Sequence, residues 1–263
     1  MNILITGKNG YIATNLKKYF LDKSDWQVET VSVRDGLPSL EAVDVLIHTA
    51  ALVHAKQNDI AEYDRVNRGL TVELAQRAKK AGVRHFIFIS TMAVFGLTGK
   101  LGQPEVISGR TPCRPITPYG ISKLAAEKEL QQMGLPCLTI LRPPMVYGPD
   151  CPGNYDRLVK LAKKTPVFPY VENRRSALHI EKLCELMYDV VNNQISGILH
   201  PQDSAYMNTS ETVARLAAEN GRKIHLSPFL GRLFCALPIR SKHKIFGSLV
   251  YCVQDKNTEI LFE

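Results

Sequence analysis

The chain has 263 residues, 45% of them hydrophobic and 22% charged, the make-up of a globular chain with a sizeable core. No apolar run approaches the roughly 18 residues that span a bilayer, since the longest candidate, 226–239, is interrupted by Pro228 and Arg232. The formal net charge of +8 favours anionic partners, but the basic residues are spread out and their densest cluster, Arg240, Lys242 and Lys244, is small, so nucleic acid is not an expected partner.

Strands and helices alternate through the first half. "NILIT" (2–6) reads as a buried strand, followed by a turn and helix over 9–23. Strand-like stretches recur at 27–33, 43–51, 84–90 and 135–143. Val66, Leu70 and Leu74, spaced by four, mark a long amphipathic helix. A further helix is predicted over 119–133, closed by Gly134. This order predicts an α/β fold, a Rossmann-type doubly wound parallel sheet. After Pro149 short elements mix, so residues 1–150 are expected to bind a dinucleotide and 151–263 to form mainly a smaller substrate lobe, with some segments returning to the first domain.

The first strand–helix junction carries Gly7, Gly10 and Ala13. Small residues there permit a tight turn, a close approach of backbone to pyrophosphate, and close packing of helix on strand. Tyr11 and Ile12 open the helix, whose free N–H groups face the anion, so Gly7, Gly10, Tyr11 and Ile12 are cofactor-binding candidates.

"TPYGISK" (117–123) breaks local rules for a helix start. Thr117 and Pro118 suit the cap and first position, but Gly120 is a poor helix former and Lys123 sits near the positive end of the dipole. Tyr119 and Lys123, four apart, share one face. An ammonium beside a phenol lowers its pKa and makes it a usable proton donor or acceptor. The plain alternative is a surface lysine reaching Glu127 at i+4.

The spacing T-G-x-x-G-x-x-A resembles that of the extended short-chain dehydrogenase/reductases, the NAD-dependent epimerase/dehydratase family that acts on sugar nucleotides. "FIFISTMAVFG" (86–96) is similar to the strand that carries this family's catalytic hydroxyl, which falls on Thr91. With Tyr119 and Lys123, the resemblance implies a catalytic set in which Lys123 also holds the cofactor ribose. Ala50 and Ala51 match the small residues that lie against the cofactor after the third strand. Sugar-nucleotide dehydratases carry an Asp-Glu pair after the threonine; Met92 and Ala93 stand here, which argues against a 4,6-dehydratase.

The second strand ends in "SVRDG". NAD-binding relatives place an acid at the position of Ser32, and Arg34 could face a 2′-phosphate, so Ser32 and Arg34 slightly favour NADP over NAD. Asp35 is the rival ribose or adenine ligand. His48 reads as a packed strand histidine, whereas His54 is ambiguous. On the substrate side the resemblance implies Asn67, which supports the active site through hydrogen bonds, Met145 (where many relatives have asparagine), Asn154 and Arg175, a bidentate diphosphate clamp. The Pro-Pro form of 141–150 looks like the branch that handles 2-acetamido sugars.

The implied function is hydride transfer at C4 of a nucleotide-activated hexose, by a 4-epimerase or by an NADPH-dependent 4-ketoreductase. A non-catalytic, cofactor-binding regulatory module is the alternative of another class. Six cysteines without CxxC or Cys/His spacing predict no metal and a cytoplasmic location, in keeping with a strand-like N-terminus that shows no signal-peptide pattern. Relatives often dimerise through helices that include 119–133, so a homodimer is an expectation.

Overall fold

The structure, a computed structural model, describes residues 1–34, 36–53, 59–238 and 242–252. In chain order the strands are β1 (Asn2–Thr6), β2 (Gln27–Val31), β3 (Val45–His48), β4 (His85–Ile89), β5 (Glu105–Ile107), β6 (Leu138–Leu141), β7 (Met145–Tyr147), β8 (Val167–Pro169), β9 (Ala177–His179), β10 (Gly197–Leu199), β11 (His225–Ser227) and β12 (Leu249–Tyr251). The helices are α1 (Tyr11–Lys23), α2 (Ile60–Tyr63), α3 (Leu70–Lys80), α4 (Pro118–Gln132), α5 (Asn154–Lys164), α6 (Ile180–Asn192), α7 (Thr209–Glu219), α8 (Pro228–Ala236) and α9 (Lys242–Phe246).

Six strands form one parallel sheet in the order β10-β6-β4-β3-β1-β2. The inner strands β3 and β4 are buried on both faces, as a sheet covered on two sides requires, while the edge strand β2 exposes Gln27 and Glu29. Ile3, Ile5, Ile47, Ile87 and Ile89 face α1 and α6, whose Leu16, Phe20, Leu183 and Met187 are fully buried. Leu4, Leu46, Phe86, Phe88 and Ile140 face α3 and α4, through Leu74, Ala78, Ala126 and Leu130. The chain leaves β1 toward β2 on one side and returns to β3 on the other. The strand order therefore reverses between β1 and β3, where such sheets open a crevice at their carboxyl ends.

The expected doubly wound sheet is thus present. The chain does not leave it for good at residue 150, because α6 packs against α1 and β10 supplies the sixth strand. The smaller lobe is built from α5, β8, α7, β11, α8 and α9 around Tyr155, Ala162, Phe168, Val213, Leu216 and Phe246. The helix marked by Val66, Leu70 and Leu74 is interrupted by a wide π-type turn over 64–69. Such turns recur at functional positions, and this one holds Asn67. Among the described residues, no helix is long and apolar enough to cross a membrane and no cluster could hold a metal.

Candidate functional site

All six strands of the main sheet run the same way, so the residues that follow them gather on one edge. After β1, Gly7 takes φ +92°, a conformation that disfavours any side chain. A Cβ there would stand 2.8 Å from Thr49 Oγ1 and 3.2 Å from the Ala50 amide nitrogen, so glycine lets this turn lie against the end of β3. Gly10 precedes α1 as its cap residue. No side chain caps that helix and no acid stands in its first turn, so its positive end is left to an outside anion. Tyr11 and Ile12 begin the helix half-buried; the Tyr11 phenol lies beside Gly148 and is raised above its usual range by burial.

After β4, Thr91 breaks into a short 3₁₀ turn that its own hydroxyl caps, accepting from the Ala93 amide at 3.1 Å. Opposite that turn α4 begins with Thr117 as cap, accepting from the Gly120 amide at 3.1 Å. Gly120 is explained by this meeting. A Cβ on it would lie 2.7 Å from the Ala93 carbonyl oxygen and 3.1 Å from Pro115 Cβ. The glycine lets the first turn of α4 press against the Thr91 turn, and Tyr119 then lies beside the Thr91 side chain.

Lys123 lies one turn further along and is fully buried. Its Nζ has no hydrogen-bond partner and sits 3.8 Å from the centre of the Phe88 ring. An unpartnered buried ammonium is costly. Burial lowers its pKa from 10.5 to about 7, with Glu127 acting in the opposite direction. Because the folded value lies below the unfolded one, the unfolded chain binds the extra proton between these pH values. The cost is therefore full below about pH 7 and fades as pH rises toward 10.5. Lys123→Met is expected to raise the melting temperature of the cofactor-free protein at pH 7, by a margin that shrinks toward pH 10.5. A margin independent of pH would contradict this origin.

The expectation that Lys123 draws the Tyr119 pKa down is corrected in this cofactor-free arrangement. Burial pushes the phenol up to about 12, and the Thr91 side chain beside it opposes the shift. The bland alternative for Lys123 also fails: Glu127 is taken by other partners. It accepts from the Ser90 hydroxyl and forms a bidentate pair with Arg142, whose Nη2 donates to Oε2 at 2.7 Å and Nε to Oε1 at 3.3 Å. Arg142 lies just past β6, and its carbonyl accepts from the Tyr251 hydroxyl at 2.6 Å.

Asn67 acts here through hydrogen bonds within the protein. It is buried, and its amide exchanges hydrogen bonds with the Leu52 backbone at 2.7 and 2.9 Å and donates to Ser122 Oγ at 3.1 Å. It ties the segment after β3, where Ala50 and Ala51 stand half-buried, to α4. His48 is a fully buried strand residue between the Thr6 and Thr71 hydroxyls at 2.7 and 2.9 Å, with its pKa lowered to about 3 by burial. His54 and Asp35 lie outside the described residues.

At the end of β2, the half-buried Ser32 accepts from the Arg34 amide at 3.2 Å, while the Arg34 side chain is exposed. Met145 opens β7 opposite Ala177 of β9. Arg175 is half-buried just before β9 and donates from Nη1 to the Gly247 carbonyl at 2.6 Å. Among the described residues it has no carboxylate partner, so its charge is open to an anion. Asn154 stands exposed at the start of α5 and is not drawn into this cluster by any contact described.

The residues fit a dinucleotide: a tight turn bounded by Gly7 and Gly10, an uncapped helix end, and an orphaned buried Lys123 ammonium at the start of α4. The comparisons agree. The description "NAD dependent epimerase/dehydratase family" matches residues 3–199. The chain is 31% identical over 247 residues to a UDP-glucose 4-epimerase of Vibrio cholerae, covering 82% of this chain and 75% of the relative. It is 26% identical over 261 residues to an N-acetyl-alpha-D-glucosaminyl-diphospho-ditrans,octacis-undecaprenol 4-epimerase of Escherichia coli O157:H7, covering 88% and 77%. The fold is shared with the dTDP-4-dehydrorhamnose reductase of Bacillus anthracis str. Ames solved with NADP, at a TM-score of 0.71, 17% identity, and coverage of 86% and 82%. A match that spans most of the chain, over a sheet edge built in this way, places this protein in the NAD-dependent epimerase/dehydratase family.

Proposed function

We propose that this chain is an NAD(P)-dependent epimerase that acts at C4 of a nucleotide-activated hexose, with a 2-acetamido sugar as the favoured class. The observation that carries the reading is the meeting of Thr91, Tyr119 and Lys123 at the carboxyl edge beside the Gly7 turn. Bound there, a nicotinamide dinucleotide supplies a hydride acceptor and donor. Gly7, Gly10, Tyr11 and Ile12 would hold its diphosphate, Ala50 and Ala51 would lie against it, and Lys123 would bond its ribose hydroxyls.

The protein's own part is proton handling and orientation. Thr91 hydrogen-bonds the C4 oxygen and fixes it toward Tyr119. Tyr119 takes the hydroxyl proton as the sugar is oxidised and returns it when the keto-sugar is reduced on its other face. Arg175 clamps the diphosphate of the substrate, and Met145 and Asn154 line its path. Met92 and Ala93 offer no acid–base pair for loss of water.

A specific observation supports a second reading, a 4-keto-sugar-nucleotide reductase using NADPH. Ser32 is not acidic and the exposed Arg34 is free to meet a 2′-phosphate. The two are separated by incubating the purified protein with UDP-hexoses. Interconversion of C4 epimers without added cofactor is the expected result. No epimer formed, together with stoichiometric consumption of NADPH when a UDP-4-keto-hexose is supplied in a separate reaction, would replace the first reading by the second.

A further inference from the structure

One segment that the proposed chemistry does not use has its basic charge unopposed by acids. Between Glu219 and Asp255 the sequence has no acidic residue, yet it carries Arg222, Lys223, Arg232, Arg240, Lys242 and Lys244. Arg240 lies outside the described residues. The same segment holds α8, "PFLGRLFCA".

One side of α8 is anchored to the smaller lobe. Gly231 lies against Tyr170, where a Cβ would meet the carbonyl oxygen at 1.9 Å. Phe234 packs edge-on to Phe246, with ring centres 5.3 Å apart. Lys242 closes the far end by donating to the carbonyls of Cys235 and Leu237 at 2.6 and 3.0 Å. With that side fixed, the other carries Phe229, Leu233 and Leu237, four residues apart. They are 74%, 48% and 43% exposed, and Phe229 is the most exposed large apolar side chain described. Pro228, Ala236 and Pro238 extend the ridge, and Arg232 stands exposed within it. The exposed Arg222, Lys223, His243 and Lys244 belong to the elements on either side.

We propose that the α8 ridge and the cations around it form a docking surface for an anionic phospholipid bilayer. An interfacial helix places aromatic and aliphatic residues among acyl chains while lysine and arginine meet the headgroups. Each basic residue near an anionic leaflet adds attraction, and an acid-free segment loses none of it to repulsion. Charge complementarity selects this occupant. A second copy docking through the same face would bring cation against cation with no acid in the segment to answer them. A nucleic acid would satisfy the cations and could stack on Phe229, but it would leave the exposed aliphatic Leu233 and Leu237 without a partner. The surface adjoins the site, because Gly247, just past α9, is the residue whose carbonyl holds Arg175 at 2.6 Å. Docking there presents the sheet edge close to the membrane plane, although the proposal rests on no assignment of substrate.

The test is co-sedimentation of the full chain with phosphatidylcholine vesicles, with and without phosphatidylglycerol. Binding to the phosphatidylglycerol vesicles should exceed that to neutral vesicles about threefold or more and weaken as salt rises. Phe229→Ser with Leu233→Ser should cut it about fivefold or more, with an unchanged circular dichroism spectrum and unchanged activity on a water-soluble sugar nucleotide. Arg232→Gln with Lys244→Gln should cut binding to the anionic vesicles and leave the weak neutral binding as it was. Equal sedimentation with both vesicle types, or none with either, would overturn the proposal. So would a concentration-dependent dimer that the Phe229/Leu233 variant abolishes, since the ridge would then belong to a second copy. Loss of epimerisation with vesicle binding intact would count against the proposed function alone.

Discussion

Tyr119→Phe is expected to lower kcat about a hundred- to ten-thousand-fold, the range over which a positioned acid–base group contributes. Stability and cofactor affinity should change little. The phenol contacts Thr91, which keeps its own bond to the Ala93 amide when the tyrosine hydroxyl is removed. Lys123→Met is different, because it removes the ribose ligand as well as a charge, and should weaken cofactor binding and turnover together. The pH dependence follows from the phenol. In the cofactor-free protein its pKa is pushed up to about 12, so at neutral pH it is protonated and suited to donate to a carbonyl oxygen. Oxidation of the sugar requires the phenolate, whose fraction climbs about tenfold per pH unit below that value. The oxidative half-reaction should therefore accelerate with pH, and the reductive half should not. Single-turnover absorbance of the reduced nicotinamide at a series of pH values measures both. If Tyr119→Phe retained full turnover, the chain would act as a cofactor-binding module, and the catalytic reading would fall.

The sheet and its functional edge were legible because they rest on strong local signals. Buried apolar runs followed by Gly7 and Gly10 leave little choice but a strand, a tight turn and a helix, and the predicted helix 119–133 is observed over 118–132. "TPYGISK" was readable as a violation, but its cause was not. Gly120 is required by the Ala93 carbonyl, which a chain of more than twenty intervening residues brings back against α4. Asn67 was identified as a hydrogen-bonding support, but its partners Leu52 and Ser122 were not, because no periodicity shows the π-type turn that holds it. The partner of Glu127 was out of reach for the same kind of reason. Spacing along one helix offered Lys123, and only the packing of β6 against β4 brings Arg142 to it. That some later segments return to the first domain was expected, but which ones was beyond local pattern: β10 is identified only by its pairing with β6.

Glu127 is the residue whose loss should cost the fold most. Its carboxylate and the Arg142 guanidinium have side-chain exposures of 0% and 10%, so neither can fall back on water. Removing one member of such a pair leaves a buried charge without its counter-ion, at a cost of about 3–5 kcal/mol. Glu127→Leu should therefore shift the urea midpoint far toward the unfolded state. Replacing both, Glu127→Leu with Arg142→Met, should recover most of that loss, since an apolar pair of similar volume avoids the desolvation that the ion pair carried. Activity should behave otherwise. Glu127 also accepts from Ser90, which directly precedes Thr91 on the strand exit, and it is the group that opposes the fall in the Lys123 pKa. Both variants should thus remain impaired in turnover, and the double variant should be stable but slow. This split separates a positioning role from a merely structural one. If stability and kcat returned together in the double variant, the pair would serve packing alone. If Glu127→Leu cost less than about 1 kcal/mol, the pair would not be carrying the buried charge that its geometry implies.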